Sequence, residues 1–257
     1  MARVLVCVKR VPDTAGEILL TDDGMDVDAR YVGHTVSPHE SCAVELAVRI
    51  AQATDGEATV LTLGPAESVE QLRDALALGC TAAVHVDSAG RAFGPADVAR
   101  EIAEVVGEGT AYDLVLLGND AADTGDFQVG IRLAYLLGWP VVTGISTVEV
   151  AHADGAPQTL TARGDGPDGT EVFEMPLPAV VTVMEGGVEP RYPSIPGRMK
   201  AKRVPIETRQ PSAEPAGPGR VRLTVPPAPP SQVQILGSGP EAAPAVVDLL
   251  EKLGVTR

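Results

Sequence analysis

The chain has 257 residues, a formal net charge of −15, an apolar fraction of 44 % and only 3 % aromatic residues. This length can bury a full hydrophobic core, which must be built from Val, Leu, Ile and Ala. The acidic balance excludes a general nucleic-acid binder, because phosphates require a basic surface.

The cysteines and the apolar runs indicate the cellular compartment. Cys7, Cys42 and Cys80 are odd in number and lack CxxC spacing, which argues against disulfides and zinc and favours a reducing compartment. No apolar stretch reaches the length of a membrane span. The short run at 4–8 passes directly into basic residues, so it predicts a strand and not a signal peptide. We expect a cytoplasmic protein without membrane insertion.

Strands and helices alternate from the N-terminus onward. Buried strands are predicted from continuous apolar runs at 4–8, 58–63, 82–86 and 113–117. Helices are predicted from apolar periodicity at about 37–53, 67–78, 95–107 and 126–137. This alternation predicts an α/β fold with a doubly wound, mostly parallel sheet and right-handed crossovers.

The second half has a different pattern. Short β-like pieces at 146–150, 159–163, 171–174 and 179–184 predict antiparallel additions to the sheet. The segment 204–230 contains eight prolines and predicts an extended arm. An amphipathic helix follows at 241–253. We therefore expect an α/β domain over 1–206 and, over 207–257, a Pro-rich arm whose helix docks on its own domain or on a partner.

Candidate ligand-binding residues follow the predicted strands. In an open α/β sheet, ligands bind beyond the carboxyl ends of the strands, at the topological switch point. Four segments meet this condition: 7–9, the helix start at 37–40, 63–65 and the loop 118–130. At 37–40, Ser37 is the predicted N-cap, with Pro38 at the first position and Glu40 three residues after the cap.

The loop 118–130 allows two interpretations. Its glycines and the backbone N–H groups of the following helix could hold a phosphate. Its carboxylates, Asp120, Asp123 and Asp126, would repel a phosphate, and could instead bind ribose or base or cap the helix. The loop matches neither GxGxxG nor a Walker A motif, so residue chemistry leaves both interpretations open.

The run 187–203 is the second candidate functional segment. It contains three prolines, which argue against a regular helix or a central strand, and five cations in an acidic chain. Ile195 stands between two prolines near its middle. The run is either a surface connection or a stiff docking loop with an apolar tip and basic flanks.

Four motifs carry a resemblance to a known family. They are VCVKRVPD at 6–13, ALALG at 75–79, DLVLLG at 113–118 and EPRYPSIPGRMKAK at 189–202. Over residues 1–206 the chain resembles the β subunit of electron transfer flavoproteins, whose fold is adenine-nucleotide α-hydrolase-like. The last motif is the most specific of the four.

The resemblance implies an electron carrier that is not an enzyme by itself and has no catalytic residue. Such a β subunit pairs with an α subunit that supplies most FAD contacts, and it binds a structural AMP. The implied AMP contacts are Cys7, Ser37, Pro38, His39, Glu40, Leu63, Gly118, Asn119, Asp120, Ala121, Ala122, Asp123, Thr124, Gly125, Asp126, Phe127, Gln128 and Val129. The stretch 207–257 is then expected to contact the α subunit.

The resemblance also assigns 187–203 to recognition of acyl-CoA and related dehydrogenases. Ile195 stands where the family has an anchoring leucine of similar volume. The implied docking residues are Arg191, Tyr192, Ile195, Arg198, Met199, Lys200 and Lys202. Electrons would pass from these dehydrogenases towards the respiratory chain.

Some features depart from the family pattern. Ser37 stands where the family has an asparagine, which removes one side-chain amide from the AMP site. Asp126 and Phe127 stand where small or polar residues are common. Two alternatives remain: a bifurcating subunit with a second FAD in place of AMP, and a nucleotide-binding sensor domain without a redox role.

Overall fold

The computed structural model describes residues 1–13, 15, 18–107, 112–153, 156–227 and 233–255. The chain divides into a compact unit, Met1–Leu223, and a smaller unit, Thr224–Arg257. The first unit thus extends beyond residue 206, where we expected the α/β domain to end. The smaller unit contains a 3-10 turn, Gly239–Ala242, and a C-terminal helix.

The strands of the first unit form one nine-stranded sheet and a small two-stranded ribbon. In chain order they are β1 (Arg3–Cys7), β2 (Val11–Pro12), β3 (His34–Thr35), β4 (Glu57–Gly64), β5 (Ala82–Asp87), β6 (Leu114–Gly118), β7 (Val141–Ala153), β8 (Ala156–Gly166), β9 (Gly169–Pro176), β10 (Ala179–Val183) and β11 (Ile206–Arg209).

The helices begin and end close to the predicted positions in the first half of the chain. They are α1 (Pro38–Ala53), α2 (Val69–Leu78, preceded by a 3-10 turn at Ala66–Ser68), α3 (Pro95–Gly107), α4 (Val129–Leu137), α5 (Ile195–Ala201) and α6 (Ala243–Lys252). Within the described residues no helix has both the length and the apolar character needed to cross a membrane.

The large sheet has the order β11-β5-β4-β1-β6-β10-β7-β8-β9. From β11 to β7 all neighbours are parallel, and β7, β8 and β9 continue the sheet as antiparallel strands. The chain passes from β1 to β4 and β5 on one side, and then crosses to β6 and β10 on the other. The doubly wound α/β prediction is confirmed, and the switch point lies between β1 and β6.

Alternating side chains of the central strands face two apolar layers. Val4 and Val6 of β1 pack in the layer that includes α1 and α2. Leu5 and Cys7 point to the opposite face, where α3 and α4 cover the sheet. Both faces are therefore buried, which explains why the strand sequences are continuous apolar runs.

Three expectations for the second half were wrong. The segment 179–184 forms β10, which is parallel to β6 and β7 in the sheet interior. The segment 204–230 is not wholly an extended arm, because Ile206–Arg209 pairs with β5 as a parallel edge strand. The run 187–203 contains a regular helix, α5, although it is rich in proline. The antiparallel prediction holds for β7–β9, whose strands are longer than the predicted pieces.

Helix α5 forms because its proline stands where a proline is tolerated. Ser194 is the N-cap, and its hydroxyl accepts a hydrogen bond from the Gly197 N–H at 3.1 Å. Pro196 occupies the first turn, where a missing N–H costs no helical hydrogen bond. At the other end, the Arg73 guanidinium donates to the carbonyls of Ala201 and Val204.

Candidate functional site

The start of α1 and the loop after β6 meet at the switch point of the sheet. A Cβ atom at Gly118 would lie 2.8 Å from Cγ of Glu40 and 3.4 Å from Cβ of His39. Only glycine permits this approach without a shift of the neighbours. The structure thus brings together two of the predicted segments, 37–40 and 118–130. We call residues 118–129, the predicted AMP contacts of the second segment, the nucleotide loop.

The start of α1 is closed by its own side chains. The Glu40 N–H donates to the Ser37 hydroxyl, and the Ser37 N–H donates to the Glu40 carboxylate, which is the predicted capping box. The other oxygen of Glu40 accepts from the Lys9 N–H at 2.8 Å. Burial raises the pKa of Glu40 to about 7, and the hydrogen bonds from Ser37 and Lys9 offset only part of that rise.

Two polar contacts join the nucleotide loop to the rest of the site. The Lys9 ammonium lies 2.6 Å from Oδ1 of Asp123. Nε2 of His39 lies 3.0 Å from Oδ1 of Asp120, and Nδ1 of His39 accepts a hydrogen bond from the Glu185 N–H at 2.9 Å. Two of the three loop carboxylates therefore already have a basic partner.

The start of α4 differs from that of α1. Its N-cap is Gln128, whose side chain makes no capping hydrogen bond, and the first turn has no acidic residue. Asp126 contacts the Gln128 amide at 3.4 Å and does not cap the helix. The interpretation in which the loop carboxylates cap α4 is therefore not observed. The first N–H groups of α4 offer donors to an anion at a helix N-terminus.

Asn119 and Gly130 fix this loop and helix on the sheet. Oδ1 of Asn119 accepts from the Thr182 hydroxyl at 2.7 Å and from the Gly144 N–H at 2.9 Å. A Cβ at Gly130 would lie 2.4 Å from the methyl group of Thr182, so α4 packs closely against β10. The donors at the start of α4 are thus held by β10 and β7.

The other predicted contacts differ in character. Cys7 is buried in the apolar layer under α3 and α4. Burial and, secondarily, the nearby Glu40 raise the pKa of its thiol, so it is no nucleophile. Leu63 is half-buried at the end of β4, and Phe127 is largely exposed on the nucleotide loop.

The segment 187–203, which we call the docking segment, presents apolar side chains on a fixed backbone. Ile195 is 80 % exposed and Tyr192 is 93 % exposed, and Met199 is also exposed. Arg198, Lys200 and Lys202 are exposed around them. A Cβ at Gly197 would lie 2.5 Å from the Ala77 carbonyl, which places α5 directly on α2.

Arg191 has a different place from the other predicted docking residues. Its guanidinium donates to both oxygens of Glu45, at 2.7 and 3.0 Å, and its N–H donates to Oε2 of Glu45 at 3.2 Å. Glu45 is buried on α1 and also binds Arg49. Arg191 therefore holds the docking segment onto α1.

Sequence reasoning missed Glu45 and Arg73 as supports of the docking segment. An acidic residue at a buried helical position was the available signal for Glu45, since such a residue needs a partner. Arg73 gave no comparable signal, because it lies on a half-buried helix face where arginine is ordinary.

Comparisons with known proteins agree with the motifs and the fold. The family model described as the electron transfer flavoprotein domain matches residues 25–214. Electron transfer flavoprotein subunit beta of Syntrophomonas wolfei is 36 % identical over 236 residues, covering 91 % of this chain and 89 % of that protein. The human protein of the same name is 38 % identical and covers 81 % of each chain. The Bacillus subtilis protein is 35 % identical and covers 79 % of this chain and 77 % of that protein. The chain therefore belongs to the electron transfer flavoprotein family and resembles its β subunits over most of its length.

Proposed function

We propose that this chain is the β subunit of a heterodimeric electron transfer flavoprotein and binds a structural AMP. It accepts electrons from flavoprotein dehydrogenases of the acyl-CoA type and passes them towards the respiratory chain. The FAD, held mainly by the α subunit, supplies the redox chemistry when bound. The residues of this chain bind, orient and dock, and the 207–257 stretch contacts the α subunit.

The contrast between two helix starts supports the AMP site. The start of α1 is filled by its capping box, so its N–H groups have partners in the chain. The start of α4 has no capping side chain among the described residues, which suits a phosphate group. We therefore propose that the AMP phosphate binds at Gln128 and Val129 and that the nucleoside lies towards Ser37–Glu40.

The pairing of the loop carboxylates removes an objection to this site. Asp123 and Asp120 would repel a phosphate if they stood alone. Lys9 lies against Asp123 and offsets its charge, and Asp120 accepts a hydrogen bond from His39, so neither carboxylate stands without a partner. Three buried free thiols are also in keeping with a reducing, cytoplasmic location.

The single observation that carries the carrier function is the exposed Ile195 at the first position of a fixed helix. Large apolar side chains at such exposure on an ordered element are typical of interface anchors. Exposed cations of the same helix, Arg198 and Lys200, can contact acidic groups of a dehydrogenase.

The first experiment identifies the nucleotides. The chain is co-expressed with an electron transfer flavoprotein α subunit from the same organism, and flavin and AMP are counted after denaturation of the purified complex. We expect a yellow heterodimer with one FAD and one AMP. Two FAD and no AMP would establish the bifurcating alternative, and a colourless monomer with AMP would establish the sensor alternative.

The second experiment tests the docking residue. Ile195→Ala should lower electron transfer from a purified acyl-CoA dehydrogenase about 30-fold, since losing a buried anchor costs about 2 kcal/mol. Flavin content should not change. Val172→Ala, at an exposed apolar position on β9, is the matched control and should transfer normally. Normal transfer by the Ile195 variant would refute the docking role.

A further inference from the structure

One face of α1 contacts the chain at four points, from just before the docking segment into its beginning. The contacting side chains are spaced by three, three and four residues, which places them along a single stripe of a helix. They are His39 to the Glu185 N–H, Cys42 to the Val188 carbonyl, Arg49 to the Glu189 carbonyl and Glu45 to Arg191. The stripe therefore fixes the backbone over 185–191.

His39 differs from the other three members of the stripe because it also contacts the nucleotide loop. Its Nδ1 accepts from the Glu185 N–H at 2.9 Å, so this nitrogen carries no proton. The neutral ring then has its proton on Nε2, which donates to Oδ1 of Asp120 at 3.0 Å. One ring thus binds both segments, and its tautomer is set by both contacts.

The His39 ring and its two contacts are enclosed by the surrounding chain. The side chains of His39 and Asp120 are mostly buried. A Cβ atom added at Gly118 would lie 3.4 Å from Cβ of His39, so the loop backbone passes close to the base of this side chain. A displacement of Asp120 consequently acts on the ring, and through the ring on the Glu185 amide.

We infer that His39 is a positioning residue that couples the nucleotide loop to the docking segment. When the loop is ordered, Asp120 orients the ring, and the ring holds the amide of Glu185 where the docking segment leaves β10. The inference rests on the proposed function, because the loop is taken as the AMP site and 187–203 as the docking element.

Hydrogen–deuterium exchange of the Glu185 amide in the purified αβ complex tests this coupling. His39→Phe keeps the ring shape and removes both hydrogen bonds, and should raise exchange at Glu185 about fivefold, the value of one ordinary hydrogen bond. His39→Gln keeps one acceptor and one donor and should restore most of the protection. His34→Phe, on the β2–β3 ribbon, is the matched control and should change nothing at Glu185.

A double-mutant cycle separates coupling from local support. Asp120→Ala, on the loop side alone, should also raise exchange at Glu185, but should add nothing in the His39→Phe background. Equal effects of Asp120→Ala in both backgrounds, or no effect in the wild type, would overturn the inference. Where His39→Phe fails to fold, His39→Ala, which also removes both hydrogen bonds, replaces it in the cycle.

The same preparations distinguish this inference from the proposed function. AMP and FAD are counted in every variant before exchange is measured. Wild-type complex without AMP contradicts the proposed nucleotide, whatever the exchange data show. Wild-type complex with AMP and an additive cycle contradicts only the role of His39.

Discussion

The ion pair between Glu45 and Arg191 gives the sharpest stability prediction. The Glu45 side chain is 4 % exposed and accepts three hydrogen bonds from Arg191 and one from Arg49. Breaking a buried pair by removing one partner costs about 3–5 kcal/mol. The Arg191 side chain is 34 % exposed, so water recovers part of the loss. We therefore expect Glu45→Gln to lower the free energy of unfolding by about 2 kcal/mol.

Urea unfolding at pH 7, followed by circular dichroism, measures this cost. The variants are Glu45→Gln, Arg191→Gln and the double variant, and their cycle should give a coupling of about 2 kcal/mol. The exposed pair of Arg163 and Glu149, 3.4 Å apart, supplies the control. Glu149→Gln should cost less than about 0.5 kcal/mol. A coupling below about 0.5 kcal/mol for Glu45 and Arg191 would refute the argument.

The same pair predicts a pH dependence of known sign. Burial acts to raise the pKa of Glu45, but the hydrogen bonds from Arg191 and Arg49 outweigh it and leave the pKa below its usual value. Because the folded-state pKa of Glu45 is lowered, its ionised form stabilises the folded state at pH values above the unfolded-state pKa of about 4.3. This stabilisation is lost as the pH falls through the folded-state pKa. The cost of Glu45→Gln should therefore shrink below about pH 4. A cost independent of pH would contradict an ionised Glu45.

Two further predictions concern the switch point. Because burial raises the pKa of Glu40 to about 7, the folded state binds an extra proton between about pH 4.5 and 7. The free energy of unfolding should therefore fall by on the order of 3 kcal/mol as the pH rises through that window. Glu40→Gln should remove most of this fall, which is measured as the urea midpoint of unfolding at each pH. Gly118→Ala should cost about 1–3 kcal/mol and reduce the AMP content, since its Cβ would press on Glu40. Gly107→Ala, which meets open space, should be neutral in the same unfolding and AMP assays.

The first half of the fold could be predicted because each of its elements is specified locally. Apolar runs mark the strands, and Ser37 with Glu40 marks the start of α1, where the capping box is observed. Helix α5 was missed because its prolines were counted without regard to their position. Pro38 is the first helical residue after Ser37 and Pro196 is the second after Ser194. Both lie in a first turn, where a missing N–H costs no helical hydrogen bond, so a helix start could be predicted at both.

Strands β10 and β11 could not be placed from the sequence because their partners in the sheet are distant along the chain. All five residues of β10 are buried, which is typical of an interior parallel strand. Because β10 follows the antiparallel strands β7–β9 along the chain, an antiparallel strand was expected here. Its parallel pairing with β6 depends on contacts between distant parts of the sequence. Ile206–Arg209 carries too short a pattern to distinguish an edge strand from an extended arm.

The segments of the candidate site were predictable, but their contacts were not. The carboxyl ends of parallel strands must meet, so 37–40 and 118–129 could be brought together from the fold class alone. Lys9 and Asp123 are 114 positions apart, and Glu45 and Arg191 are 146 apart. A charge pattern in one sequence does not indicate which of many acidic residues such a cation will bind.

The supports of α5 explain why a single isoleucine can serve as an anchor. A flexible loop would lose conformational freedom on docking, and that loss would subtract from the affinity. Here Ser194 caps the start of the helix, Arg73 donates to the carbonyl of its last residue, Ala201, and Gly197 lies directly against the backbone of α2. The backbone under Ile195 is thus ordered before any partner arrives, so burial of its side chain contributes to binding with little ordering cost. Under the proposed docking role, the affinity for a partner accordingly depends on the residues that support α5 as well as on the exposed Ile195.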